Sequence, residues 1–321
     1  MTGEIPKALD LEQKVFAIHN EEGFHEIALE LFIYQYFNNP VYKAFCNALK
    51  RNPEAVNSIN QIPFIPISFF KSHAIKTAEF EPQVIFKSSG TTGAVTSYHH
   101  VKSTDLYITS FLRCFETVFG PVDQYCILGL LPSYLEQGNS SLVFMVDHLI
   151  KESKHELSGF YLTDFQHLSE TLQKLEEDEQ PAILFGVTYA LLDFAENFSF
   201  PLRNTIIIET GGMKGRKKEI TKEGLYEELM QSFGLSAIHG EYGMTELLSQ
   251  AYAVNGLYTT PPWMKVLLRD ETDPFTYSSK SGALNVIDLA NIYSCSFIAT
   301  DDLGRWNENG KFEVLGRIDN S

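Results

Sequence analysis

The sequence has few cysteines: Cys46, Cys114, Cys126 and Cys295 are its only four, and no two stand at Cys-x-x-Cys spacing. That excludes a disulfide-stapled scaffold and a zinc ribbon, and it suits buried reduced thiols in a cytoplasmic protein. Nine histidines are present, but none forms His-Glu-x-x-His, which excludes the common zinc-hydrolase signature. Basic residues are outnumbered, 25 against 41 acidic, for a formal charge of −16. Nucleic acid is therefore not the expected partner, because phosphate neutralisation needs basic surface. No uncharged apolar run approaches the roughly 18 residues of a membrane span. The longest, such as Tyr125–Leu131 and Ile206–Ile208, are strand-sized. Met1 to Leu11 carries Glu4, Lys7 and Asp10 without an apolar run, so no signal peptide is expected.

What is present is an ordinary globular composition. Hydrophobic residues make up 44% of the 321 positions, enough for a sizeable core and too many for a disordered chain. Residues 11 to 50 read as helical, with Val15 and Ile18, then Ile27, Leu31 and Tyr34, at helical spacing. Gln61–Lys71, punctuated by Pro63 and Pro66, reads as extended. Short apolar runs then alternate with amphipathic stretches. Strands are expected at Val84–Lys87, Cys126–Leu131, Leu142–Val146, Ala182–Gly186, Thr205–Glu209, Ala283–Asp288, Phe297–Thr300 and Phe312–Leu315. Helices are expected at Thr104–Phe119, Ser140–Ile150, Asp164–Glu177, Thr188–Phe198 and Lys222–Phe233. Such alternation predicts an α/β fold with substantial parallel sheet. The expected organisation is a helical segment over 1–60, a first α/β subdomain over 61–200 and a second over 201–321.

The most specific local signal is Ser88-Ser89-Gly90-Thr91-Thr92-Gly93, directly after the strand Val84–Lys87. Six such specified positions arise by chance on the order of 10⁻⁵ times per chain. Two glycines let backbone N–H groups converge on an anion, and four hydroxyls add rotatable donors, so phosphate suits the loop. It is no Walker loop, because Gly-Lys-Ser/Thr is missing. A solvated hydroxyl-rich turn is the plainer alternative. Four further stretches follow in order. Gly211-Gly212 ends the strand at Thr205–Ile208, either as a plain turn or as backbone offered to a ligand. Tyr242-Gly243-Met244-Thr245-Glu246 offers a flat ring, a close backbone approach, a hydroxyl and a hard oxygen ligand. Its alternative is a helix cap, with Thr245 and Glu246 starting Leu247-Leu248. Thr300-Asp301-Asp302 places a carboxylate that can accept two ribose hydroxyls, and Gly316-Arg317-Ile318-Asp319 places a guanidinium suited to oxyanions.

Taken together, Ser88–Gly93, Tyr242–Glu246, Asp302 and Gly316–Asp319 resemble the ordered motifs of the adenylate-forming superfamily: acyl-CoA synthetases, firefly-type luciferases and nonribosomal peptide adenylation domains. Ile62–Lys71, Leu131–Leu142, Gly211–Arg216 and Pro261–Met264 resemble one branch, the acyl-protein synthetases of bacterial luminescence (LuxE-type). Relatives of that branch occur in bacteria that do not glow. The resemblance implies the large domain of the adenylate-forming fold, without the small C-terminal domain, since the sequence ends at Ser321. It implies ATP and Mg²⁺ as cofactors. A carboxylic acid, fatty by the branch, would be activated as acyl-AMP and passed to an acceptor protein or thiol, with a reductase-like partner in some systems. It places the phosphates on Ser88, Ser89, Gly90, Thr91, Thr92 and Gly93, and the adenosine near Gly211, Gly212, Tyr242, Gly243 and Asp302. Thr245, Glu246 and Arg317 are the catalytic set, with Glu246 the Mg²⁺ ligand. Asp301 stands where the family has glycine. The branch's acyl-accepting cysteine has no counterpart after the hinge, because Cys295 lies upstream. Two competing readings are an acyltransferase working from a preformed thioester and a nucleotide-binding, non-catalytic subunit of an acyl-reducing complex. The basic run Lys214, Arg216, Lys217, Lys218 and Lys222 either guides a phosphate-bearing partner or is a solvated helix start. Tyr134, Asn139 and Ser140 either line an acyl pocket or start a helix.

Overall fold

A computed structural model describes residues 5–88, 96–131, 139–211, 220–273 and 275–318. In chain order the helices are α1 (Ala8–Val15), α2 (Glu21–Asn38), α3 (Pro40–Ala48), α4 (Phe69–Ser72), α5 (Thr104–Phe119), α6 (Ser141–Ser153), α7 (Phe165–Glu177), α8 (Thr188–Asn197) and α9 (Lys222–Phe233). The strands are β1 (Ile65–Pro66), β2 (Val84–Lys87), β3 (Tyr98–Val101), β4 (Cys126–Leu130), β5 (Gly159–Phe160), β6 (Ala182–Gly186), β7 (Thr205–Glu209), β8 (His239–Tyr242), β9 (Ala251–Val254), β10 (Leu257–Thr259), β11 (Met264–Arg269), β12 (Ser281–Asp288), β13 (Phe297–Trp306) and β14 (Phe312–Arg317). The chain divides into two compact units, each discontinuous in sequence. One holds residues 1–110, 243–250 and 259–321; the other holds 111–242 and 251–258.

In the second unit β4, β6, β7 and β8 pair in parallel, with β5 parallel on β4 and β9 antiparallel on β8. Every residue of β4 and β6 is buried, as expected of parallel strands covered on both faces. Local chemistry sets the helix ends. Asp164 accepts from the His167 N–H (3.1 Å) ahead of α7, and Thr221 accepts from the Gly224 N–H (3.1 Å) ahead of α9. α9 closes on Gly234 at φ +63°, the left-handed cap that glycine adopts without strain.

In the first unit β11, β12, β13 and β14 form an antiparallel sheet, with β1 parallel on β13. β2 and β3 form a separate antiparallel pair. The N-terminal stretch is three helices, separated at asparagines that cap the next one. Asn20 accepts from the Gly23 N–H (2.8 Å) and Asn39 from the Tyr42 N–H (3.0 Å), and Pro40 sits at the first turn of α3. Buried Gln35 ties α2 to the 291–296 loop: its amide donates to the carbonyls of Asn291 (3.0 Å) and Ile292 (3.1 Å) and accepts from the Ser296 N–H (3.0 Å).

Two expectations need correction. Leu142–Val146 is not a strand but the first half of α6, whose buried face includes Met145, Val146 and Leu149. A short apolar run carries no periodicity that separates the two states, and helical length decides it. Gln61–Lys71 is not extended throughout: a helical turn begins at Phe69, and the His73 N–H donates to the Phe69 carbonyl (2.8 Å). Proline restricts itself and the residue before it, so the influence of Pro66 stops there.

Candidate functional site

Most residues expected to hold phosphate and metal belong to the first unit. Ser88 follows β2, and the stem of its loop is closed by two bonds: the Ser97 N–H donates to Ser88 Oγ (2.9 Å) and the Ser88 N–H to the Ser97 carbonyl (3.1 Å). Ser89, Gly90, Thr91, Thr92 and Gly93 lie outside the described residues.

Thr245 and Glu246 stand in a turn between β8 and β9, so they do not begin a helix. Glu246 is buried. Burial raises its carboxyl above the usual carboxylate range, while a hydrogen bond with the Ser97 side chain and the charges of Arg317 and Lys71 pull the other way. A buried carboxylate whose charge is not fully offset suits a cation. Among the described residues no three His, Cys, Asp or Glu side chains cluster as a dedicated metal cage. A Mg²⁺ ion carried largely by phosphate oxygens, with one protein carboxylate, fits this donor set.

Asp302 and Arg317 face each other across the β13–β14 ladder, next to a register shift at Leu303/Gly304. Arg317 Nε lies 3.4 Å from Asp302 Oδ1. The Asp302 side chain is largely buried and that of Arg317 is 80% exposed, which leaves the guanidinium open to an incoming anion. Asp301 does not disturb this pairing: its carbonyl accepts from the Ile318 N–H (2.7 Å).

Three buried polar residues complete this region, and no spacing in the sequence announced them. His99, on β3, places Nδ1 2.7 Å from the Thr245 carbonyl. Burial pushes its ring down to about 4, so it is neutral at physiological pH. Asn291 donates to the Glu246 carbonyl (2.7 Å). Asp288, fully buried at the end of β12, accepts from the N–H groups of Leu248 (2.7 Å), Ser249 (3.0 Å) and Ala290 (3.2 Å) and from Ser249 Oγ (2.6 Å). Ser249 Oγ also accepts from Trp263 Nε1 (3.0 Å).

The remaining candidates belong to the second unit. β7 ends at buried Glu209, whose Oε1 accepts from Thr188 Oγ1 (2.5 Å) and from the Gly211 N–H (2.7 Å). Gly211 has φ +78°, and its carbonyl accepts from the Thr188 N–H (3.2 Å), so its backbone is already tied to the start of α8. Gly212 lies outside the described residues. Tyr242 is 8% exposed, edge-on to Tyr258 at 5.9 Å, so little of the ring expected to stack on adenine faces solvent. Gly243, which follows it, begins the segment that belongs to the first unit. Glu241 is partly buried, and burial, with the nearby Glu209 carboxylate, pushes its carboxyl up to about 8. Of the basic run only Lys222 is described. It donates to the Tyr258 hydroxyl (2.7 Å) and lies over that ring. Ser140 accepts from the Val143 N–H (3.4 Å) and caps α6, which favours the helix-start reading. Tyr134 lies outside the described residues, and Asn139 has φ +63°. All four cysteines are buried, and none forms a disulfide. Burial pushes the thiols of Cys46 to about 12 and Cys126 to about 11, the opposite of an activated thiolate.

Against known proteins, the model of the family described as "Acyl-protein synthetase, LuxE" matches residues 11–321. No curated protein sequence matches. Among solved structures the chain is similar to ATP-bound MatB from Rhodopseudomonas palustris, with TM-score 0.54, 14% identity, and cover of 74% of this chain and 49% of that one. It is also similar to O-succinylbenzoate coenzyme A synthetase (MenE) from Bacillus subtilis. With ATP and magnesium bound, the figures are TM-score 0.50, 17% identity, and 75% and 53% cover. With the acyl-adenylate intermediate bound, they are TM-score 0.51, 18% identity, and 73% and 48% cover. At these identities the likeness is one of fold, and the chain spans about half the length of the structures it matches.

Proposed function

This chain belongs to the LuxE acyl-protein synthetase family, and we propose that it activates a carboxylic acid with ATP and hands the acyl group to a protein or thiol acceptor. One observation carries this reading. Glu246 and the hairpin pair Asp302–Arg317, distant from it in sequence, fall in one compact unit, with the pair formed and the charge of Arg317 felt at the buried Glu246. The ATP and magnesium in the MenE complex named above, and the ATP in MatB, support the nucleotide and the metal.

In the first half-reaction a carboxylate oxygen attacks the α-phosphorus of ATP, pyrophosphate leaves, and a mixed anhydride, acyl-AMP, forms. In the second, the acceptor's sulfur or nitrogen attacks the acyl carbon, and AMP leaves. The protein's part is position and charge. Ser88 starts the loop that would cradle phosphates, and Thr245 would donate its hydroxyl to the α-phosphate. Asp302 would accept the ribose hydroxyls, and Arg317 would meet ribose or phosphate oxygens. Glu246 would hold Mg²⁺, which neutralises phosphate charge when bound. A fatty acid is the substrate class that the resemblance to the luminescence branch implies, and the four buried cysteines are not offered as acceptors.

The test is acid-dependent exchange of labelled pyrophosphate into ATP, run with acetate, octanoate, tetradecanoate and benzoate. Exchange is expected with at least one acid, and a fall of about 10²-fold or more on Glu246→Gln. Exchange with none of them would overturn the proposal.

A further inference from the structure

Thr245 and Glu246 owe their place to side chains, not to secondary structure. β8 ends at Tyr242 and β9 begins at Ala251, so the backbone groups between them cannot draw on a ladder for partners. Buried His99 and Asn291 take two successive carbonyls of that stretch. A neutral imidazole has one N–H, and the 2.7 Å contact assigns it to Nδ1, donating to the Thr245 carbonyl. Nε2 lies 3.2 Å from Asn291 Oδ1, and in that tautomer both are acceptors, so this contact is no hydrogen bond and does not hold the ring. With Oδ1 turned to the ring, both Nδ2 hydrogens of Asn291 are spent on carbonyls, those of Glu246 (2.7 Å) and Cys295 (3.0 Å).

Neither side chain is free to drift. The Asn291 N–H donates to the Asp288 carbonyl (3.0 Å), and its own carbonyl accepts from Gln35 Nε2 (3.0 Å) and Ser296 Oγ (3.2 Å). The His99 ring meets Phe70 edge-on at 6.1 Å. Each carbonyl carbon is bonded to the Cα that bears the Thr245 or Glu246 side chain, so fixing the carbonyl fixes where the hydroxyl or carboxylate stands.

We propose that His99 and Asn291 are positioning residues of the adenylation reaction. They touch neither acid nor nucleotide, and they act by holding the Thr245 and Glu246 carbonyls. The inference rests on the proposed function. A misplacement of about 1 Å at such groups costs on the order of 10²-fold in rate.

The experiment is the same pyrophosphate exchange on the full chain, with thermal unfolding of every variant. His99→Phe keeps a ring and removes the N–H. Asn291→Asp keeps the shape and sets an oxygen against two carbonyls. His99→Asn restores an amide N–H near the Nδ1 position. Expected for the folded fraction of His99→Phe and Asn291→Asp is a kcat lower by about 10²-fold, with KM for ATP within about threefold of wild type. His99→Asn is expected to recover at least about tenfold of the loss. Wild-type kcat in both disruptive variants, a loss that merely follows the unfolded fraction, or no recovery in His99→Asn would each overturn the positioning role alone. Absence of exchange in the wild type with every acid would overturn the proposed function, and this role with it.

Discussion

The two units hold their motif residues by different means. In the second, Gly211 follows β7, and the strand ladder supplies most of the backbone partners. One side chain, Glu209, finishes the turn by accepting from Thr188 and Gly211. In the first, residues 243–250 have no ladder, and His99, Asp288 and Asn291 hold the carbonyls of 245 and 246 and the N–H groups of 248 and 249. A strand end loses one bond when one side chain is cut back. An irregular buried segment loses several at once where one clamp serves several backbone groups, as Asp288 does for three N–H groups.

That contrast sets an order of effects. Asp288→Ala strands three N–H groups and a hydroxyl in a fully buried place, and a loss of at least about 3 kcal/mol is expected from urea unfolding. A loss under about 1 kcal/mol would erase the difference between the units. Thr188→Val removes a single donor to the buried Glu209, with an expected cost of about 1.5–3 kcal/mol by the same measurement. Equal losses for the two variants would mean that the second unit is clamped as the first is. The third effect is a slope. The Glu241 carboxyl lies near 8 in the folded protein against 4.5 in the unfolded chain, so folding favours its protonated form. The stability it gives is full below about pH 4.5 and is lost as pH rises through 8. Glu241→Gln is expected to remove this decline, which can reach at most about 1.4 kcal/mol per pH unit. Parallel pH–stability curves for the two proteins would contradict it.

Much of the fold was legible in the sequence where local pattern decides the state. Ala182–Gly186 and Thr205–Glu209 are apolar runs that the structure returns as β6 and β7 without a change of boundary. Thr104–Phe119 and Lys222–Phe233 are amphipathic stretches returned as α5 and α9. Of the strands that went unseen, β3, β8 and β11 carry His, Gly, Glu or Lys among their apolar residues, and β5, β9 and β10 span only two to four residues, so alternation is weak or too brief to read. The same limit governs the site. Glu246, Asp302 and Arg317 were nominated from the sequence because motifs keep them at fixed local spacing. His99 and Asn291 were not, because they meet across 192 residues and act through backbone atoms. The division into discontinuous units has no compositional mark at its edges, since residues 243–250 leave and return within one motif-bearing stretch.

Acid-dependent cleavage of ATP between its α- and β-phosphates is what the proposed activity requires above all. Incubating the full chain with α-³²P-labelled ATP, Mg²⁺ and tetradecanoate or octanoate, without any acceptor, tests it directly. The expected result is labelled acyl-AMP that appears only with acid and is lost in Glu246→Gln. Labelled ADP, or a label pattern unchanged by adding acid, would contradict it.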